Sequence, residues 1–178
     1  FHQPVPHESA LALEQARALY AAQGVSALDP LGFNNTFAIL VRADDARALG
    51  LRTVSDLSRV AGSWTPGFGY EFLQREDGYA GLVGAYQLRF AAQPKAMDLS
   101  LIYKALADRQ VDVIAGDATS ALIDQFGLTP LVDDRHYFPP YDAVPLVRTA
   151  ALLRHPEIRR ALDALAGRIP DATMRAMN

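Results

Sequence analysis

Cysteine is absent from the 178 residues. That excludes disulfide staples, thiol nucleophiles and zinc–thiolate sites, and it is compatible with an exported protein without establishing one. An excess of positive charge is also missing. The formal net charge is −3, so no basic footprint points to nucleic acid as a partner. No apolar run approaches the roughly 20 residues that a bilayer-spanning helix needs. No signal-peptide pattern is visible, but the chain opens on Phe1 rather than Met, as expected of a processed product or an excised piece. Catalytic signatures are equally scarce. There is no G-x-S-x-G elbow. Gly67-Phe68-Gly69 lacks the third glycine and the strand–helix context of a dinucleotide fingerprint, and nothing resembles a phosphate loop. His2, His7 and His155 lie in terminal stretches or at a helix start, without metal-ligand spacing. His136 follows Asp133 and Asp134, an acid–base pairing on paper, yet DDRH has the composition of a solvated loop. The expectation is a protein that is not an enzyme and carries no cofactor and no metal.

What is present is an ordinary globular composition, 50% apolar and 21% charged, in a chain long enough for one sizeable core or two small lobes. The opening FHQPVPHES is proline-punctuated and reads as irregular. Ser9 is a candidate cap for a helix running to about Gln23, which Gly24 stops. Strands are expected at Thr36–Arg42, Ser63–Phe68, Phe90–Ala92, Val111–Ala115, Leu128–Val132 and Ala143–Val147, the last broken by Pro145. Short helices are expected after Thr53 or Ser55, around Glu71–Arg75, beyond Asp77-Gly78 and over Thr119–Phe126. Leu99, Ile102, Tyr103 and Leu106 mark one face of a longer helix, as do Ile158, Ala161, Leu162 and Leu165. Pro156 and Glu157 suit that second helix's first turn, and Asp171 is a candidate cap for a final helix. Alternating strands and helices argue for an α/β layered fold.

The stretch Leu31–Arg42, LGFNNTFAILVR, is the most informative. A polar turn with two asparagines feeds an unbroken apolar run, Phe37–Val41. Two readings follow. Asn34 and Asn35 can bond their local backbone at a loop-to-strand junction. Alternatively, Phe33, Phe37 and the amides form a binding edge. Aromatic density in loops is the second feature: Trp64, Phe68, Tyr70, Phe72, Tyr79, Tyr137, Phe138 and Tyr141 lie near expected loop edges. Most should pack into the core. A few converging rings would attract a methylated ammonium, at about 0.5–2 kcal/mol per ring. Arg75 then becomes a candidate clamp for a carboxylate, and Asp117, after the expected strand at Val111–Ala115, sits where ligands enter open α/β sheets.

LGFNNTFAILVR, GYEFLQREDGYAGL, VDVIAGDATSALI and DDRHYFPPYDAVPLVR occur in this order. Together they resemble the substrate-binding proteins of osmoprotectant ABC importers, which bind glycine betaine, choline, carnitine, proline betaine or ergothioneine. The resemblance implies a periplasmic-binding-protein-like fold of the type II solute-binding class: α/β, two-lobed and closing on its ligand. One lobe would be complete and the other partial. It divides the chain into 1–36 as part of lobe I, 37–142 as lobe II with both crossing segments, and 143–178 as the C-terminal part of lobe I. The opening strands of lobe I would be absent, so the chain is expected to be a piece of a longer polypeptide, in some relatives fused to the permease.

Carried over residue by residue, the family's aromatic box and polar groups fall on Phe37, Arg75, Asp117 and Tyr141, with Asn35 and Thr119 as polar neighbours. Phe37 stands where the family has Tyr, and Asp117 where it has an aromatic. A carboxylate at 117 would stabilise a cation and repel a ligand carboxylate, unless Asp117 instead caps a helix near Thr119. The implied function is capture of a small cationic or zwitterionic compatible solute outside the cytoplasmic membrane for delivery to an ABC permease. The competing reading is a ligand-sensing domain of the same fold within a larger regulatory or permease-fused protein. Self-association is a further partner expectation, since open sheet edges favour pairing with another chain.

Overall fold

The computed structural model describes residues 6–178. The expected irregular opening, His2 included, lies outside the described residues over 1–5. In chain order the elements are α1 (Ser9–Ala21), β1 (Val25–Ala27), β2 (Phe37–Arg42), α2 (Ala43–Leu49) and two 3₁₀ turns (Val54–Arg59 and Ala61–Ser63). There follow β3 (Pro66–Gly69), α3 (Tyr70–Gln74), α4 (Tyr79–Tyr86), β4 (Lys95–Met97), α5 (Leu99–Ala107), β5 (Val113–Asp117), α6 (Leu122–Gln125) and β6 (Leu128–Leu131). The last elements are β7 (Leu146–Arg148), α7 (Thr149–Arg154), α8 (Pro156–Asp163) and α9 (Asp171–Met177). Two compact units result. One is Phe37–Phe138; the other joins the residues up to Thr36 with Pro139–Asn178.

The unit Phe37–Phe138 is built on a five-stranded sheet in the order β4-β3-β5-β2-β6. β3 pairs in parallel with β4 and β5, whereas β2 runs antiparallel to β5 and β6. The unbroken apolar run of β2 has a simple cause: both its faces are covered. Ile39 and Val41 pack on one side with Phe68, Phe72, Leu82, Tyr86 and Val113. Ala38 and Leu40 pack on the other with Ile102, Tyr103, Leu106 and Ile114. Each fully buried aliphatic side chain of this kind stabilises the fold by about 1.5–3 kcal/mol. At the far end of β2 the buried Arg42 ties three segments together. Its guanidinium bonds Asp45, Asp112 (2.6 Å) and the carbonyls of Leu106 (2.8 Å) and Val111 (2.6 Å). Thr53 caps the first 3₁₀ turn in a reciprocal capping box with Asp56.

Several sequence expectations shift here. Phe90–Ala92 is not a strand; the edge strand is β4, three residues on and mostly exposed. β5 begins at Val113 rather than Val111 and extends to Asp117. α6 is shorter than the expected Thr119–Phe126 and starts at Leu122. On α5, Ile102, Tyr103 and Leu106 are buried as expected, but Leu99 is left exposed at the helix's first residue.

The second unit holds the two-stranded antiparallel pair β1–β7. Leu28 and Leu152 are buried, whereas none of α1, α8 or α9 contains a buried residue. Two segments distant in sequence run together: Leu28 N donates to Pro145 O (3.0 Å), Leu31 N to Ala143 O (2.9 Å) and Ala143 N to Phe33 O (3.1 Å). Ser9 is the first residue of α1, with Glu8 at the cap position, so the expected Ser9 cap is not formed. Asp171 likewise opens α9 behind Pro170 and caps nothing; its carboxylate accepts the Asn34 N–H at 2.9 Å. β7 starts after Pro145 instead of running through it, because proline cannot donate to a ladder. The short helix α7 has no counterpart in the sequence reading.

Candidate functional site

β2 and β5 end side by side. In their register Phe37 lies directly opposite Asp117. Directly opposed residues of an antiparallel pair share a face, with Cβ atoms about 4.5–5.5 Å apart. That face is the one carrying Ile39, Val41, Val113 and Ala115, and α3 lies over it through Phe72. The Phe37 ring meets Phe72 edge-on at 5.0 Å between centroids and Phe138 at 5.9 Å. The guanidinium carbon of Arg75 sits 5.7 Å from the Phe37 centroid, within cation–π range. Phe37, Arg75 and Asp117 are thus brought together at one end of one sheet, each of them half-buried.

Arg75 is held from its own neighbourhood. Nε and Nη2 make a bidentate pair with Asp77, both bonds 2.7 Å, and Nη1 reaches Glu71 at 3.3 Å. The Arg75 hydrogen bonds hold the Asp77 carboxyl below the usual carboxylate range. A ligand carboxylate approaching Arg75 would compete with both acids.

Asp117 is the last residue of β5. Its N–H donates to the Tyr103 hydroxyl at 2.9 Å, and its carbonyl accepts from Ser120 N at 3.1 Å. The hydroxyl arrives from the opposite face of the sheet, over Gly116, where any Cβ would collide with the tyrosine ring. The carboxylate itself receives no hydrogen bond and no ion pair among the described residues. Burial pushes the Asp117 carboxyl above its ordinary range, and the Glu71 charge pushes it further in the same direction. The helix-cap reading of Asp117 falls: α6 starts at Leu122 without a side-chain cap, and Ser120 Oγ takes the Leu122 N–H instead. Thr119, two residues past Asp117, is buried.

In the other unit, Asn35 and Tyr141 are joined through the backbone, Asn35 N donating to Tyr141 O at 3.1 Å. Both side chains are exposed. The Tyr141 N–H is taken by Asn34 Oδ1 at 2.7 Å, so Asn34 bonds a segment 107 residues away rather than its local turn. Of the remaining aromatics, Trp64, Phe68, Phe72, Tyr86 and Phe138 are buried and pack together, while Tyr70 is exposed. The acid–base reading of DDRH has no support: Asp133 accepts from the Tyr86 hydroxyl and from the N–H groups of Tyr137 (3.0 Å) and Phe138 (2.9 Å). No group of side chains suited to a metal ion occurs among the described residues. A cavity of about 320 Å³ lined by Ala43, Ala46, Arg47, Gly50, Leu51, Arg52 and Thr129 contains none of the candidate residues.

Three contributors were missed by sequence reasoning. Glu71 and Asp77 hold Arg75; the four-residue spacing of Glu71 and Arg75 on a short helix was the available signal. Tyr103 fixes the backbone of Asp117, and nothing in the sequence announces that contact except the glycine at 116 that makes room for it.

Known proteins share this architecture. The family model for the substrate-binding domain of ABC-type glycine betaine transport systems matches residues 9–178. A glycine-betaine-binding protein of Pseudomonas aeruginosa is 36% identical over 96% of this chain and 58% of its own length. The carnitine transport binding protein OpuCC of Listeria monocytogenes is 38% identical over 84% of this chain and 49% of its own. The chain therefore spans about half the length of the curated relatives it matches. Among solved structures, a glycine betaine/carnitine/choline ABC transporter protein superposes with a TM-score of 0.92 at 29% identity, covering 97% of this chain and 64% of that one.

Proposed function

This chain belongs to the family of substrate-binding domains of ABC-type glycine betaine transport systems, and from that premise we propose that it captures a compatible solute for an ABC importer. The ligand class is a quaternary-ammonium or betaine-like compound: choline, glycine betaine, carnitine or ergothioneine. Capture takes place outside the cytoplasm, with the permease in the membrane as the protein partner. The observation that carries the reading is the end of the β2–β5 pair, where an aromatic ring and a carboxylate share one face. A methylated ammonium has no N–H to donate; it is held by π faces and by charge. Phe37 supplies the face, and its contact with Arg75 fits a ring disposed to receive a cation. Asp117 supplies the charge. Thr119 is a polar candidate in the same unit, and Tyr141 and Asn35 are ligand candidates that the other unit carries. Arg75 is the candidate for a ligand carboxylate, in exchange for Glu71.

The test is calorimetry on the full-length protein with choline, glycine betaine, carnitine and ergothioneine. Phe37→Leu keeps apolar bulk and removes the π face. It should weaken the best ligand by about 2- to 30-fold, the equivalent of one cation–π contact. Binding of none of the four compounds, or an unchanged affinity in Phe37→Leu, would overturn the assignment.

A further inference from the structure

Resting on that reading of the β2–β5 end, we propose a narrower ligand class: an organic cation that carries its own hydrogen-bond donor and no carboxylate. Three observations combine. First, the Asp117 main chain is fixed from both sides, by the Tyr103 hydroxyl on its N–H and by Ser120 on its carbonyl. Its Cα is therefore fixed opposite Phe37, and its half-buried carboxylate receives no donor from the described residues. With no protein donor on it, the carboxylate is open to an incoming N–H or O–H, and a charge-assisted hydrogen bond in this partly desolvated place is stronger than one in water. Second, charge at this end is one-sided. Asp117, Glu71 and Asp77 stand against the guanidinium of Arg75, which is already paired with the latter two. A ligand carboxylate would meet Asp117 directly, and like charges in a partly desolvated site discriminate strongly. Third, the Arg75 guanidinium lies on Phe37 and is neutralised from its edge by Asp77. The uncompensated charge is thus the carboxylate of Asp117. It calls for a cation in which the positive end and the donor are close together, as in an amino alcohol.

The experiment compares four probes on the full-length protein: choline and protonated N,N-dimethylethanolamine, which carry donors; tetramethylammonium, which carries none; and glycine betaine, which carries a carboxylate. Choline and dimethylethanolamine should bind at least about tenfold more tightly than the other two. Asp117→Asn, close in shape and free of charge, should bring glycine betaine to within about threefold of choline. Glu71→Gln, at an exposed position, should move the ratio the same way by less. Glycine betaine binding as tightly as choline, or a ratio unchanged in Asp117→Asn, would overturn the selectivity while leaving the solute-binding assignment standing. Failure of all four probes would sink that assignment and this inference together.

Discussion

Replacing Arg42 by Met should cost the protein about 3 kcal/mol of stability. The substitution keeps the unbranched stem and removes every donor. Arg42 is among the few charged residues in the core, its side chain 8% exposed. It serves four acceptors: two carboxylates and the carbonyls of Leu106 and Val111. Breaking a buried pair by deleting one partner typically costs about 3–5 kcal/mol, because the other charge stays buried and unpaired. The lower end applies because most of the stranded groups keep a second partner. Asp112 still accepts the Thr65 N–H at 2.9 Å, Asp45 still reaches Arg109 at 3.3 Å, and Leu106 O keeps the Arg109 N–H at 3.2 Å. With a urea m-value of about 1–3 kcal/mol per molar, the midpoint should fall by about 1–3 M. Arg42→Lys should fall between, since an ammonium cannot reach four acceptors arranged around a planar fork. A loss below about 1 kcal/mol would equate the network with an exposed ion pair and refute its role as the clamp on β2.

Two further outcomes follow from the carboxylates. Asp133→Asn exchanges one acceptor oxygen for an amide that must face an N–H or the Tyr86 hydroxyl, and should cost about 1.5–3 kcal/mol in urea unfolding; an unchanged midpoint would mean that these bonds are dispensable. Asp117→Asn should raise the melting temperature of the ligand-free protein at pH 7. Burial raises the folded-state value of Asp117 above its unfolded value near 3.8, and Glu71 adds to it, so the ionised native form is penalised at every pH above the folded value. Below the unfolded value both states are protonated and the gain should vanish, so melts at pH 7 and pH 3.5 distinguish this from a packing effect. A lower melting temperature at pH 7 in the variant would contradict the sign.

The parts of the fold that were readable share one trait: local chemistry and tertiary context agree. β2 read as a strand because both faces are covered and every position from Ala38 to Val41 could be apolar. α5 was visible through Ile102, Tyr103 and Leu106, and the first 3₁₀ turn through its Thr53 cap. The misreadings lie where backbone pairing decides without side-chain pattern. β4 is a short edge strand beginning on an exposed lysine, and it exists because β3 offers it a parallel partner. Ser9 and Asp171 are residues of the cap type that stand one place inside their helices, and a single-residue offset is invisible to propensity. For the site, Phe37, Arg75 and Asp117 were each singled out, but their juxtaposition was not derivable from spacing. It depends on the β2–β5 register, which sets Phe37 opposite Asp117, 80 positions further along the chain.

The acids on this chain fall into two classes by the direction in which the fold shifts them. Hydrogen bonds from the N–H groups of Thr53 and Arg52 lower the Asp56 carboxyl. Asp77 is lowered by Arg75. For Asp45, burial is the largest influence and pushes upward, yet Arg42 and Arg109 together outweigh it. In each case ionisation favours the folded state, and that stability is present above the unfolded value and lost as pH falls through the folded one. Asp117 has the opposite sign, and its environment makes that sign avoidable. Asparagine would fit the same backbone, keep the Tyr103 and Ser120 bonds and remove the penalty. An aromatic there would add area to Phe37 and Phe72. A carboxylate whose ionised form is disfavoured by burial and by Glu71 works against folding, and residues that break a local rule recur at functional sites. A bound cation with a donor reverses the sign, because it lowers the Asp117 value and turns the penalised group into a paired one. On the proposed ligand reading, the same carboxylate would link ligand capture to stability: the protein should gain more from a cation that pairs with Asp117 than from a ligand that only covers Phe37.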